Sequence, residues 1–201
     1  MGEVARVLVG VSRGFRGGSP GFTPFHVFMA LTLLSREPLG RVGLASRLGV
    51  GESSARTLIG RLEELGFVRR TRAGVELTEA GLRFLEALGS AIAIYSVSLE
   101  ELGWSSASLV VVRGFNPPVD LVGVYRVRDY IVAEGCTEAI VGGYTGGALV
   151  YPGMPEEILR IVASKLPEEA TTSDSLHVIV PSGRVAEAFN GVIRMLAELP
   201  R

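Results

Sequence analysis

The chain has 201 residues, of which 47% are hydrophobic and 20% are charged, and its net charge is -1 at neutral pH. This composition is typical of a folded protein, and the sequence has no run of about 18 uninterrupted apolar residues that would span a bilayer. A single cysteine excludes an internal disulfide and a Cys-x-x-Cys zinc site, and two histidines disfavour a metal cage.

The two halves of the chain differ in charge. Residues 1–90 carry 12 arginines and 8 glutamates, a net charge of +4, whereas residues 91–201 carry 8 basic and 13 acidic side chains, a net charge of -5. A chain of this length holds two small domains, and the basic half is the one that a phosphate backbone attracts. The N-terminal apolar run is broken by charges and has no small-residue cleavage site, so no signal peptide is indicated and we expect a cytoplasmic protein.

The N-terminal segment predicts a short helix and a flexible link. Apolar residues recur at helical spacing over 3–11, namely Val4, Val7, Leu8 and Val11. The segment 13–21, RGFRGGSPG, is either a plain connector or an arginine-bearing arm that enters a minor groove.

A second helix is predicted from Pro24 to Ser35. Thr23 is a good N-cap, and Pro24 suits the first helical position because its missing N–H would have no partner inside the helix. His26 lies among aromatic residues on this helix, and we expect it in the core or an interface rather than as a metal ligand.

The stretch 40–65 predicts a helix-turn-helix in which Gly49-Val50-Gly51 forms the turn. The apolar positions are Val42, Leu44, Ala45 and Leu48 on the first helix and Ala55, Leu58, Ile59, Leu62 and Leu65 on the second. The positions outside the second stripe are Ser53, Ser54, Arg56, Thr57, Gly60 and Arg61. Short side chains let a backbone approach the major groove of DNA, and arginine reaches guanine edges or phosphates.

A basic β-hairpin is predicted next, after a left-handed Gly66 that ends the second helix. Its strands cover 67–72 and 75–77 around Ala73-Gly74, and its three arginines are Arg69, Arg70 and Arg72. These arginines either protect a solvated edge strand or contact phosphates, and their place directly after a recognition-type helix favours phosphates. Thr78 is the predicted cap of the following helix, whose apolar positions are Leu82, Leu85 and Leu88.

The order of helix, turn, helix, glycine, basic hairpin and threonine-capped helix resembles the winged helix-turn-helix of MarR-like and other prokaryotic transcription regulators, over residues 22–90. The resemblance implies a DNA-binding regulator. The predicted contacts to double-stranded DNA are Ser53, Ser54, Arg56, Thr57, Arg61, Arg69, Arg70 and Arg72. We expect a homodimer, because one winged helix covers few base pairs and two-fold proteins match palindromic sites.

The second half predicts an α/β domain over 104–201. Strands are expected at 106–114, 138–144, 148–151 and 175–180, and helices at 120–134, 155–165 and 183–199. This βαββαβ order with an extra terminal helix predicts a ferredoxin-like domain with helices on one face of its sheet, so the whole chain is α+β. The segment AIAIYSVSL, near the boundary at 90–104, is either an extended connector strand or the end of a helix.

Arg128-Asp129, followed by Gly135-Cys136-Thr137-Glu138 and a glycine-rich hairpin, resembles a family of archaeal winged-helix proteins whose C-terminal domain has no established role. Cys136 stands where that family more usually has alanine. The candidate effector-binding residues are Arg126, Arg128, Asp129, Thr137 and Glu138. Arginine offers a fork for a carboxylate or phosphate, and aspartate accepts from an amine or hydroxyl; the alternative is an ion pair and a turn anchor.

The sequence indicates no catalytic site and no cofactor. The glycine-rich segment 142–147 follows a strand but opens another strand, unlike a phosphate-binding loop that opens a helix. Cys136 has no base close to it in sequence, and we expect it to be a small buried residue. The prediction is therefore a dimeric transcription regulator, and the alternatives are a DNA-bound recruiter of another protein and an enzyme fused to a winged helix.

Overall fold

The structure is a computed structural model that describes residues 1–14 and 20–200. It contains two compact units, one made of Met1–Gly89 with the C-terminal residues from Leu196, the other of Ser90–Met195. Most of the predicted link at 13–21, from 15 to 19, lies outside the described residues. No helix in the described ranges is long and apolar enough to cross a bilayer.

The first unit contains helices and one short hairpin. Its helices are α1 (Gly2–Ser12), α2 (Pro24–Leu34), α3 (Arg41–Leu48), α4 (Glu52–Glu64) and α5 (Glu79–Ala91), and its strands are β1 (Val68–Thr71) and β2 (Gly74–Leu77). Leu39 bridges the outer edge of β2: its N–H donates to Val75 O at 3.0 Å, and the N–H of Val75 donates back at 2.9 Å. The hairpin is thereby tied to the start of α3.

Local signals locate these elements as the sequence predicts. Thr23 is the N-cap of α2 with Pro24 first in the helix, and Gly66 has a positive φ of 71° after α4. The Oγ1 of Thr78 accepts from the N–H of Gly81 at 3.1 Å, which caps α5. His26 accepts the N–H of Thr23 through Nδ1 at 3.1 Å, so it closes the first turn of α2 and burial lowers its pKa.

The core of the first unit is made of leucines from all five helices. Those with no exposed surface are Leu8, Leu31, Leu44, Leu58, Leu62 and Leu88. Three residues predicted to be in the apolar stripes are instead exposed, namely Val42, Leu65 and Leu82. On α5 the buried positions Gly81 and Leu88 define the inner face, and Leu82 lies about 100° from Gly81 around the helix.

The second half of the chain forms a five-stranded antiparallel sheet with helices, so the chain is α+β. Its elements are β3 (Ile92–Leu99), β4 (Trp104–Arg113), α6 (Leu121–Ala133), β5 (Ile140–Thr145), β6 (Ala148–Val150), α7 (Glu156–Lys165), β7 (Ser175–Pro181) and α8 (Val185–Glu198). Leu109 and Val111 of β4 pack in one cluster with Val162 of α7. Val110 and Val112 point to the opposite face and are equally buried, so both faces are covered, not one as predicted.

The strand order β3-β4-β7-β5-β6 corrects the ferredoxin-like prediction. A ferredoxin-like sheet pairs the first and third strands of the repeat, which here are β4 and β6. In this protein the ambiguous segment 92–99 is a full strand that pairs with β4 from Ile92↔Val112 to Leu99↔Trp104. Because β3 takes one edge of β4 and β7 takes the other, no edge of β4 is left for β6.

Candidate nucleic-acid interface

The open face of α4 carries three of the predicted DNA contacts. Ser53, Arg56 and Thr57 are all exposed, and their spacing places them on one side of the helix. The hydroxyl of Thr57 donates to Ser53 O at 3.0 Å, so its oxygen lone pairs remain for a donor outside the helix. This side lies opposite the buried stripe of Ala55, Leu58, Ile59 and Leu62.

Ser54 and Arg61 lie next to Thr57 on α4, on the flank of the helix that contacts the N-terminal segment. Arg61 Nη1 donates to Val11 O and to Arg13 O, the latter at 2.8 Å, and its guanidinium lies 5.5 Å from the ring centroid of Phe22. Ser54 sits seven residues earlier, hence two turns away on the same side, and a Cβ added at Gly21 would be 2.7 Å from its Oγ. Both residues therefore pack toward the N-terminal segment of the unit.

The hairpin places its three arginines at the surface. Arg69 Nε pairs with Glu76 Oε1 across the hairpin at 2.7 Å, and Arg70 Nε pairs with Glu63 Oε2 of α4 at 3.1 Å. Both arginine side chains stay more than half exposed, at 69% and 61%. Ion pairs this exposed contribute about 0 to 1 kcal/mol, so a phosphate can replace either carboxylate at little cost.

Arg72 is exposed at the tip of the hairpin and has no ion pair among the described residues. The tip is held by Thr71, whose hydroxyl donates to Gly74 O at 3.0 Å and accepts from the N–H of Ala73 at 3.2 Å. Arg72 is thus carried on an ordered turn, and its charge is not neutralised by a neighbouring carboxylate.

A cavity of about 200 Å³ opens between the start of α3, α4 and the hairpin. It is lined by Gly40, Arg41, Arg56, Ile59, Arg70, Thr71, Gly74 and Val75. Arg41, which pairs with Glu52 at 2.9 Å, was not predicted as a site residue. Nothing in the sequence around Arg41 indicates a binding role. It lies beside Arg56 and Arg70 only because the bridge between Leu39 and Val75 holds the hairpin against the start of α3.

Of the candidate effector residues of the second unit, Arg128 and Thr137 are brought into contact. Arg128 is half-buried, and its Nη2 donates to Thr137 O at 3.2 Å, while its Nε is buried without a hydrogen-bond partner among the described residues. Arg126, Asp129, Thr137 and Glu138 are exposed. Arg128 therefore ties α6 to the loop that follows it, which is the turn-anchor alternative.

Cys136 and His177 are both buried. Cys136 is a buried residue as predicted, its thiol donates to Glu138 O at 3.2 Å, and burial raises its pKa. The Nε2 of His177 lies 2.9 Å from Ala170 O, which fixes the proton on that nitrogen, and its Nδ1 lies 2.9 Å from the hydroxyl of Tyr151. Burial lowers the pKa of His177 and raises that of Tyr151. With His177 fully enclosed, this network is a structural part of the sheet.

The chain is similar to one protein family over part of its length and to a solved structure over most of it. A family profile described as "PH0730-like, N-terminal domain" matches residues 26–83, which run from α2 into α5. The solved structure "Hypothetical protein PH0730 from Pyrococcus horikoshii OT3" is similar with 26% identity and a TM-score of 0.60, covering 87% of this chain and 91% of that one. No curated protein matches the chain. The chain is therefore similar to an archaeal protein over most of its length, and neither description mentions MarR-like regulators.

Proposed function

We propose that this protein is a DNA-binding transcription regulator whose first unit is a winged helix-turn-helix. The observation that carries the proposal is the surface on which Arg56 of α4 and Arg69, Arg70 and Arg72 of the hairpin are all exposed. That surface belongs to the half of the chain with a net charge of +4. In this arrangement α4 enters the major groove and the hairpin follows the phosphate backbone.

The polar residues on α4 have the chemistry for base edges. Ser53 and Thr57 have short side chains that let the helix axis approach the groove floor, and hydroxyls serve as donors or acceptors to several bases. The arginines of the hairpin supply charge, which provides affinity but little sequence preference. Ser54 and Arg61, which pack against the N-terminal segment, act by orienting α4.

The test is binding of the full chain to a fluorescent duplex, measured by anisotropy over a series of salt concentrations. Arg70→Ala should weaken binding to every sequence and reduce the slope of log affinity against log salt by about one unit. Arg83→Ala is the matched control, because Arg83 is an exposed arginine of the same unit that pairs with Glu79 on α5. Equal duplex affinities for wild type, Arg70→Ala and Arg83→Ala in low salt would reject the proposal.

We further propose that two copies associate through α6. Val122, Tyr125 and Val132 recur on one side of this helix and are exposed, Val122 by 60% and Tyr125 by 54%. Val119 and Leu121 extend the exposed apolar patch at the start of the helix. Arg126 and Asp129 lie one turn after Val122 and Tyr125 respectively, and an antiparallel two-fold pairing would place Arg126 beside Asp129 of a second copy.

Sedimentation of the full chain tests this association. Val122→Arg should give the mass of a monomer where the wild type gives a dimer. Val42→Arg is the matched control, because Val42 is equally exposed, at 59%, on α3 of the first unit. A monomeric wild type would favour the alternative that the second unit recruits another protein.

A small-molecule effector remains a prediction, which thermal shift against a metabolite library tests.

A further inference from the structure

The cavity between α3, α4 and the hairpin has the charge of an anion site. Three of its eight lining residues are the arginines Arg41, Arg56 and Arg70, and no carboxylate lines it. Arg56 forms no ion pair within the described ranges, so its charge is not compensated. A volume of about 200 Å³ is below the roughly 300 Å³ at which drug-sized sites begin, and it suits a group as small as a phosphate.

The lining of the cavity is held together by backbone hydrogen bonds and includes the apolar side chains of Ile59 and Val75. The paired hydrogen bonds between Leu39 and Val75 hold the hairpin against the start of α3. Gly74 has a φ of +136°, and a Cβ there would lie 2.8 Å from the carbonyl carbon of Leu39, so only glycine allows this close approach.

The start of α3 adds a second source of positive potential. Gly40 is the N-cap of this helix and lines the cavity, and the helix start has no side-chain cap. The first N–H groups of a helix have no acceptor within the helix and favour an anion. The positive potential of the three arginines and that of the helix N-terminus therefore act on the same small cavity.

Two glutamates that do not line the cavity form ion pairs with two of its arginines. Glu52 pairs with Arg41 at 2.9 Å, and Glu63 pairs with Arg70 at 3.1 Å. Each carboxylate orients a guanidinium in the absence of a ligand, but it also competes with an incoming anion for the same donors. Removing a carboxylate should strengthen anion binding, which is the opposite of what loss of a purely structural ion pair would do.

We propose that this cavity binds one phosphate group, held by Arg41, Arg56 and Arg70. The group is either a phosphodiester of duplex DNA or the phosphate of a free small molecule, and only the first source rests on the proposed function. Arg56 then acts as a phosphate ligand and not as a reader of base edges. In the DNA case a single phosphate fixes the register of α4 and the hairpin on the duplex at once.

The first measurement uses inorganic phosphate with the full chain, with ionic strength balanced by sodium chloride. Phosphate should raise the melting midpoint of the wild type, Arg56→Gln should abolish the rise, and Arg83→Gln should retain it. Glu63→Gln should strengthen the response several-fold. A wild type that does not respond, or an Arg56→Gln variant that responds as the wild type does, would overturn the phosphate site.

The second measurement distinguishes the two sources of phosphate. If the group is a DNA phosphodiester, inorganic phosphate competes with a duplex beyond its effect on ionic strength, and Arg56→Gln loses about tenfold or more in duplex affinity across all sequences while Arg83→Gln loses little. If the group is a free phosphate, inorganic phosphate does not displace the duplex beyond its effect on ionic strength. A protein that responds to phosphate but binds no duplex would support the cavity and reject the proposed function.

Discussion

Arg61 provides the sharpest test of how α4 divides its residues between structure and binding. The sequence assigns this arginine to the DNA-binding set, whereas its guanidinium donates to the carbonyls of Val11 and Arg13 and lies against the ring of Phe22. Arg61→Met keeps much of the side-chain length and removes all three interactions. We therefore expect this substitution to destabilise the first unit without direct loss of a DNA contact.

The expected size of the effect follows from these contacts. A hydrogen bond from a charged group contributes about 1.5 to 3 kcal/mol. The bond to Arg13 is solvent-exposed, so its contribution lies at or below the lower end of that range. The contact of the guanidinium with the Phe22 ring adds about 0.5 to 1 kcal/mol. Together they predict a loss of about 2 to 5.5 kcal/mol in the free energy of unfolding.

Urea denaturation of the full chain, followed by far-ultraviolet circular dichroism, measures this loss. The single tryptophan, Trp104, lies in β4, so its fluorescence follows the second unit in the same samples. Arg72→Met is the matched control and should change stability by less than about 0.5 kcal/mol while weakening duplex binding. The reasoning is refuted if Arg61→Met unfolds as the wild type does, or if the folded variant loses as much duplex affinity as Arg72→Met.

Three further predictions concern stability. Burial lowers the pKa of His177 and of His26 below 6.5, so the unfolded chain gains protons first as the pH falls. The free energy of unfolding should be flat above about pH 6.5 and fall below it by up to about 1.4 kcal/mol per pH unit for the fully buried His177, and by less for the half-buried His26, which solvent screens; a flat acid titration would contradict this. Gly81→Ala places a Cβ 2.1 Å from the carbonyl oxygen of Phe67 and should cost about 1 to 3 kcal/mol in denaturant titrations; a neutral effect would show that α5 shifts freely. Cys136→Ala removes one sulfur from a buried site and should cost about 1 kcal/mol by the same measurement, with a loss of folding as the contrary result.

Features that depend on neighbouring residues were predictable from the sequence. The cap at Thr23, the left-handed Gly66 and the cap at Thr78 were confirmed, because each involves groups only a few positions apart. The turn at Gly49 between α3 and α4 is of the same kind, with a φ of 68°. Helix and strand order in the first unit followed from these signals together with apolar spacing.

The same periodicity could not say which polar face of α4 would be covered. Arg56 and Arg61 both lie outside the apolar stripe, yet Arg61 meets carbonyls about 50 positions away and Arg56 lines a cavity. Arg41 joins that cavity only because Leu39 pairs with Val75. Contacts between distant segments leave no pattern in the local sequence. The sequence therefore does not show which of these arginines is covered by another segment and which lines a cavity.

Strand pairing in the second unit was decided in the same way. The segment from Ile92 to Leu99 contains β-branched and aromatic residues that favour a strand. Whether it forms one depends on an available hydrogen-bonding edge of β4. With β3 on one edge of β4, β7 lies between β4 and β5, and the sheet order departs from the ferredoxin-like arrangement. Hydrogen-bonding edges belong to the assembled sheet, and a strand's own residues do not specify which edge it will occupy.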